Sequence, residues 1–151
     1  MLIQIDSREH KWELARVQRQ LTDLGVKTII SKLYVGDYQS WDNPRLVVDR
    51  KKDLQEIVGN VTQQHERFRE ELIRAKEAGI QLVVLVEHGP DITCLEDVYF
   101  WDNPRIKNGS PKATTGQSLY RSLCTIRDKY GVRFEFCDKH STGRRIKEIL
   151  E

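Results

Sequence analysis

The sequence predicts an α/β fold in which a mixed central sheet is flanked by helices on both faces. Three observations support this class. The 151 residues suit one domain with a single core. Short β-branched or apolar runs alternate with segments whose apolar residues recur at helical spacing. The continuous apolar run at 82–86 is typical of a strand buried on both faces. We therefore expect residues 1–151 to form one domain.

One helix and four strands are expected in the first third of the chain. Apolar residues at helical spacing predict a helix over residues 12–24, which Gly25 would end. The predicted strands cover residues 2–5, 26–31, 34–41 and 45–50. An Asn-Pro turn separates the last two of them. We expect the three strands that follow the helix to form a β-meander.

The rest of the chain is expected to alternate helices with two strands. Asp53 is a predicted helix N-cap, and Thr114 with Gln117 has the spacing of a capping box for a later helix. Between these helices, residues 88–112 form a long excursion with one short helix. The other predicted elements are helices over 62–78 and from 143, and strands over 82–86 and 132–136. The predicted order is β-α-β-β-β-α-α-β-α-β-α.

Two carboxylates and a lysine on the predicted meander are candidates for chemistry. Asp37 and Asp49 would lie on neighbouring strands, where they could hold a hard divalent cation together with the carbonyl oxygen of Arg50. Residues 49 and 51 point to the same face of a strand, so Lys51 would lie beside the attacking water. This combination suits hydrolysis of a phosphodiester. The alternative is a hairpin turn at Asp37 and two solvent-facing residues on an edge strand.

A second acidic segment follows the first predicted strand. Asp6 and Glu9 would add two carboxylates if this strand lies near the meander, and a second cation about 4 Å from the first is then conceivable. Arg8 could balance these acids or hold a phosphate through two hydrogen bonds. The alternative is that Asp6 caps the first helix.

Basic residues are clustered although the net charge is only +2. Arg67 belongs to a basic group on a predicted helix, and Arg105, Lys107 and Lys112 lie in the long excursion. Such groups could follow a phosphate backbone. Acidic residues are interleaved with them, namely Glu66, Glu70 and Glu71, so an ordinary solvated surface is the alternative. Trp101 could stack on an exposed base or anchor the excursion in the core.

The composition argues against several other classes of protein. Charged residues make up 32% and hydrophobic residues 38%, which is typical of a folded, soluble protein. No apolar run is long enough to span a bilayer, and the N-terminus does not resemble a secretion signal, so we expect a cytoplasmic protein that contacts no membrane. Three cysteines cannot all pair within the chain. Cys137 and His140 lack the second ligand pair of a zinc site.

Taken in order, these motifs resemble the nuclease domain of the XPF family of structure-specific endonucleases, within the PD-(D/E)XK nuclease superfamily. The similar segments are Asp6-Ser7-Arg8-Glu9, Gly36-Asp37-Tyr38, Val48-Asp49-Arg50-Lys51, Arg67-Phe68 and the apolar strand that ends in Glu87. The resemblance covers nearly the whole chain and implies a restriction-endonuclease-like sheet. It also implies a hydrolase that cuts DNA beside flaps, forks or junctions and uses Mg²⁺ or Mn²⁺.

The resemblance also implies roles for individual residues. Lys51 would be the catalytic lysine, and Arg50 would organise the site or contact phosphate. The implied acidic metal site comprises Asp37, Asp49, Asp6 and Glu9. Two positions depart from the family pattern. Asp49 replaces the usual Glu, and Gln55 stands where the family has Asp. Either Asp53 or Glu56 takes over the role of that Asp, or the role is missing.

Family members commonly add helix-hairpin-helix repeats, which we do not expect in these 151 residues. Nuclease domains of the family usually dimerise, so a homodimer through the last helices or a different protein partner is expected. Two other functions remain open. One is a catalytically silent DNA-binding scaffold, and the other is a superfamily nuclease that acts on plain duplex DNA.

Overall fold

The chain folds around a six-stranded mixed sheet, and the computed structural model describes all 151 residues. The strands are β1 (Leu2–Asp6), β2 (Lys27–Ser31), β3 (Tyr38–Ser40), β4 (Asn43–Lys51), β5 (Gln81–Glu87) and β6 (Arg133–Cys137). The helices are α1 (Lys11–Asp23), α2 (Leu54–Val61), α3 (His65–Glu77), α4 (Pro104–Lys107), α5 (Gly116–Tyr130) and α6 (Thr142–Leu150). The predicted order is confirmed, and the excursion holds a 3-10 helix, Leu95–Phe100, as well as the short α4.

The order of strands in the sheet is β2-β1-β3-β4-β5-β6. β3 runs antiparallel to both β1 and β4, while β4, β5 and β6 are parallel. The predicted meander is therefore wrong for β2, which pairs in parallel with β1 at the edge of the sheet. The reason is that α1 carries the chain back across the sheet, and such a crossover returns a strand parallel to the one it left.

β3 is shorter than the strand predicted over residues 34–41. Only Tyr38–Ser40 pair with both neighbouring strands. Gly36 has a φ of +72°, a left-handed conformation that breaks the extended chain immediately before Asp37. Residues 34–37 therefore form an irregular segment at the end of the sheet where β1 and β4 also finish.

The helix ends follow local capping chemistry. Asp53 caps α2 as predicted, since its Oδ1 accepts a hydrogen bond of 2.8 Å from the amide of Glu56. α5 is capped by Thr115 and not by Thr114, because the Thr115 hydroxyl accepts from the amide of Ser118. Gly131 ends α5 in the left-handed conformation. None of the helices has the length and apolar character needed to cross a membrane.

Successive side chains of each strand point to opposite faces of the sheet, and this divides the interior into two cores. One core lies between the sheet and the helices α1 and α6, and it takes Val83 and Leu85 from β5. The other lies under α2, α3 and α5, and it takes Val84 and Val86. Helices thus cover both faces, as predicted. Trp101 is only 8% exposed and packs in the second core, so it anchors the excursion and does not present its ring to a base.

Candidate active site

A polar cleft opens at the end of the sheet where β1 and β4 finish, on the face covered by α3. Its volume is about 420 Å³. One wall is formed by the ends of β1 and β4 and by the segment at 34–37, and the other by one side of α3. The lining residues are Asp6, Arg8, Tyr34, Val35, Gly36, Asp37, Asp49, Arg67, Glu70, Glu71 and Arg74.

The backbone holds Asp37 in the cleft. Its amide donates to the carbonyl of Val48 (2.9 Å), and its carbonyl accepts from the amide of Asp6 (2.8 Å). Its side-chain Oδ2 accepts from the amide of Arg50 at 2.8 Å. The chain reaches this position only through Gly36, where a Cβ atom would lie 2.4 Å from Val47 Cγ1. The glycine is therefore required both for the left-handed turn and for the close approach to β4.

Asp49 and Lys51 lie on the same face of β4, as the strand period predicts. Lys51 Nζ is 3.1 Å from Asp49 Oδ2, and the ammonium group also lies 5.5 Å from the centre of the Phe68 ring. Both side chains are buried. Asp49 Oδ2 is buried and makes no hydrogen bond of regular geometry, so the ion pair with Lys51 is the contact that compensates its charge.

The carboxylates of the cleft repel one another. Burial and then the charges of Asp49 and Glu9 raise the pKa of Asp37 well above its usual value. Burial alone would lower the pKa of Lys51, but attraction to Asp49 and Glu71 outweighs it and raises that pKa. Lys51 is therefore held as a cation beside Asp49, while the acids of the cleft remain incompletely neutralised. A positive charge brought to these acids would be stabilised there.

Glu71 lines the cleft but was not a candidate from the sequence, where it supported the alternative of a solvated surface on this helix. It lies on α3, and burial followed by the charge of Asp49 raises its pKa to about 7. Helix spacing could have identified it, because residues 67, 71 and 74 share one side of a helix and Arg67 was already a candidate.

Asp6 lines the cleft but already has partners. Its Oδ1 accepts from the amide of Leu33 at 2.8 Å, and its Oδ2 pairs with Arg8 Nε at 3.0 Å. It caps no helix, so that alternative is wrong; it ties the segment after β2 to the end of β1. Arg8 also donates to the carbonyl of Leu33, and most of its side chain remains exposed at the cleft.

Glu9 and the guanidinium of Arg50 are turned away from the cleft. Glu9 does not line it, and both of its carboxylate oxygens accept from Arg50, at 2.9 and 3.0 Å. Arg50 also pairs with Glu87 at 2.6 Å. The reason is again the strand period, because residue 50 must face the side opposite residues 49 and 51. The sequence did not show that Glu9 follows Arg50 to that side.

The predicted basic residues fall into two groups. Arg67 lines the cleft, and Arg74, seven residues later on the same side of α3, lies there too. Arg105 and Lys107 lie on α4 and Lys112 lies in the loop after it, and none of these three lines the cleft.

Gln55, where the sequence departs most from the family pattern, has a structural role. Gln55 donates to the side chain of Asn103 and so joins α2 to the excursion. Asp53 is engaged as a helix cap. Glu56 remains beside Lys51, and its pKa is raised by burial although the charge of Lys51 opposes the shift. Of the two proposed substitutes, Glu56 is the one whose charge interacts with Lys51.

The residues of the cleft fit a divalent cation that is shared with water and substrate. No three His, Cys, Asp or Glu side chains converge closely enough to enclose a metal ion by themselves. Mg²⁺ commonly takes only one or two carboxylates and completes its coordination with water and phosphate oxygens. Asp37 and Asp49 offer that number. A cation would also relieve the mutual repulsion of the acids, which raises the pKa of Asp37.

Comparison with known proteins identifies similar domains. The family model described as the ERCC4 domain matches residues 5–146. A solved structure of XPF from Aeropyrum pernix is similar over 99% of this chain, with a TM-score of 0.68 and 24% identity. A complex of the same XPF with DNA gives a TM-score of 0.69 and 23% identity, again over 99% of this chain. The chain spans 60% and 62% of those two chains. No curated protein matches it.

We expect Gly36→Ala to destabilise the protein more than Gly25→Ala. Both glycines have a positive φ, but a Cβ at Gly25 would meet no atom within 4 Å. Gly25→Ala should therefore show only the left-handed penalty of roughly 1–2 kcal/mol. Gly36→Ala should lose roughly a further 1–3 kcal/mol, because the methyl group would press on Val47 and the carbonyl of Val48. Urea unfolding of both variants measures the difference, and equal losses would contradict this account of Gly36.

We expect Glu71→Gln to weaken the binding of Mg²⁺ or Mn²⁺ by roughly 10- to 100-fold. The substitution keeps the shape of the side chain and removes one negative charge facing Asp49. Glu66→Gln, on the exposed surface of α3 outside the cleft, is the matched control. Calorimetric titration of the free protein with each metal measures the effect without any need for activity. Unchanged affinity in Glu71→Gln would exclude Glu71 from the cation site.

Proposed function

The chain belongs to the ERCC4 domain family, and on this premise we propose that it is a metal-dependent DNA endonuclease that acts at branched DNA. The observation that carries the proposal is that Asp37 and Asp49 line one cleft while the ammonium of Lys51 lies 3.1 Å from Asp49. The similarity to XPF of Aeropyrum pernix, which has been solved as a complex with DNA, supports DNA as the substrate.

In this proposal the chain's own groups divide the catalytic work. Asp37 and Asp49 hold the cation, Mg²⁺ or Mn²⁺, with Glu71 beside them. A bound cation supplies a Lewis acid that polarises the phosphoryl oxygen and makes water a better nucleophile. Lys51 orients the attacking water or stabilises the charge that develops on the phosphoryl oxygens. Asp49 holds the ammonium of Lys51 at 3.1 Å, so that this charge is fixed before the substrate arrives.

The side of α3 that faces the cleft suits a phosphate backbone. Arg67 and Arg74 are exposed, form no ion pair, and stand at the two ends of the stripe that includes Glu71. Guanidinium groups bind phosphate through paired hydrogen bonds. We assign them to the phosphates on either side of the scissile bond, with Arg8 as a third contact at the opposite wall.

Tyr34 favours branched over plain duplex DNA in this proposal. Its side chain lines the cleft, is 65% exposed and has no hydrogen-bond or aromatic partner. An aromatic ring in this position stabilises a base that stacks on it. A base within a duplex is already stacked on its neighbours, whereas bases at a flap, fork or junction are free to leave the stack. The cleft therefore suits a strand that is unpaired beside the cut.

Cleavage should depend on Mg²⁺ or Mn²⁺ and on Lys51. We expect labelled flap, fork and junction DNA to be cut with either metal and to remain intact with a chelator. Lys51→Ala should lower the rate by roughly 10²- to 10³-fold, which is typical for loss of one preorganised stabilising group. DNA binding should be retained. Lys27→Ala, an exposed lysine on the distant edge strand β2, is the control and should cut normally.

Two outcomes of this assay would replace the proposal. Binding of DNA without cleavage in every metal would assign the chain to the silent scaffolds. Equal cutting of branched and plain duplex DNA would retain the chemistry and remove the preference for branches.

We expect Tyr34→Ala to lose affinity for DNA with an unpaired strand at the cleft. The loss should be roughly 5- to 150-fold, which corresponds to about 1–3 kcal/mol for one stacked base. Tyr34→Phe should bind as the native protein does, because the ring and not the hydroxyl makes the contact. Plain duplex DNA should bind all three proteins alike. Fluorescence anisotropy in the presence of a chelator measures these affinities, and an equal loss for duplex and branched DNA would contradict the stacking role.

A further inference from the structure

A second groove lies on the opposite face of the sheet from the cleft, at the ends of three parallel strands. Residues that directly follow β4, β5 and β6 line it, together with the start of α1, and its volume is about 590 Å³. In open α/β sheets, ligands bind in the crevice outside the carboxyl ends of parallel strands. We call this the Trp12 groove, after the one apolar residue in its lining.

The acidic groups of the Trp12 groove are already engaged. Glu13 pairs with Arg16, and Glu87 accepts from both Arg16 and Arg50. Asp53 caps α2, and Asp138 accepts from the amide of His140 at 2.7 Å. Each carboxylate in the lining thus has a hydrogen-bond donor or a cation as a partner.

The ring of His88 packs edge-on against Trp101, and the remaining prominent side chains of the groove are an exposed indole and two ammonium groups that form no ion pair. The indole of Trp12 is 74% exposed, makes no hydrogen bond and belongs to neither core, and the Lys11 ammonium lies 6.0 Å from the ring centroid. Lys52 and Lys139 are exposed and form no ion pair. An aromatic face between free cations suits a nucleobase and its flanking phosphates, because the base stacks while the lysines neutralise the backbone.

The position of the Trp12 groove relative to the cleft indicates which ligand it binds. Asp49, near the end of β4, lines the cleft, and Lys52, which directly follows this strand, lines the Trp12 groove. The two sites therefore flank the same end of β4 from opposite faces of the sheet. We propose that the Trp12 groove binds single-stranded DNA that continues from the cleft, with one base stacked on Trp12 and phosphates held by Lys52 and Lys139. The inference rests on the proposed function, because it takes the strand in the cleft to be DNA.

The experiment measures how affinity depends on the length of a single-stranded arm. Forked DNA with arms from zero to about ten nucleotides is titrated in the presence of a chelator, so that binding is observed without cleavage. We expect the affinity of the native protein to rise once the arm is long enough to reach the groove. Trp12→Ala should lose that increase, roughly 5- to 150-fold, and should bind armless duplex normally. Lys52→Ala combined with Lys139→Ala should reduce the salt dependence for long arms only.

Trp41→Ala is the matched control. Trp41 is 59% exposed and precedes β4, so the nine residues of that strand separate it from the groove, a span of roughly 30 Å. It should retain the increase with arm length. Trp12→Phe should retain part of it, since a smaller ring still stacks.

Three results would decide between the proposals. If Trp12→Ala matches the native protein at every arm length, the groove does not bind DNA and is left to a protein partner. If Trp12→Ala weakens armless duplex equally, its effect is general and the proposal also fails. In the third result, the affinity increases with arm length in a way that requires Trp12 while no DNA is cut with Mg²⁺ or Mn²⁺. That result would contradict the endonuclease function and support DNA binding by the groove.

Discussion

The structure depends on three consecutive buried charges at the end of β4. Asp49, Arg50 and Lys51 are each less than a tenth exposed, and a buried charge is strongly destabilising unless a partner compensates it. The strand period sends the middle residue to one face of the sheet and its two neighbours to the other. The elements at this end of the sheet are arranged around that division, because each face must supply its own counter-charges.

The two faces meet this requirement differently. On the side of α1 and α6, the guanidinium of Arg50 is enclosed by Glu9 and Glu87, and Arg16 adds a further contact to Glu87. On the side of α3, Lys51 pairs with Asp49, whereas Asp37 and Glu71 form no ion pair. The first arrangement is saturated and rigid, while the second retains affinity for an added cation. Perturbed carboxylates in a cleft are typical of functional sites, and here their position follows from the strand alternation.

The strand alternation is also what made much of the site predictable from sequence. The placement of Asp49 and Lys51 on one face follows from the period of two. The left-handed Gly36 falls inside the strand predicted over 34–41, and a turn at Asp37 was only the alternative to that strand. The pairing of β2 with β1 was not predictable from local pattern, because it depends on the path of the crossover through α1. The face of the sheet on which Glu9 lies was not predictable either, because it depends on where the guanidinium of Arg50 needs a partner. Glu71 was missed because an acid among basic residues on a helix resembles a solvated surface until the cleft beneath it is known.

Arg50 joins the saturated face to the reactive one. Its guanidinium lies in the ion-pair cluster, whereas its backbone amide donates to Asp37 in the cleft at 2.8 Å. Fixing the side chain on one face therefore fixes the peptide that orients a carboxylate on the other. The amide also lowers the cost of keeping Asp37 ionised, which opposes the burial and the repulsion that favour its neutral form. A cleft with an excess of negative charge can persist in the folded protein because the network behind it prevents β4 from moving to separate its acids. Arg50 therefore contributes to the stability of the fold through its side chain and orients Asp37 through its backbone amide.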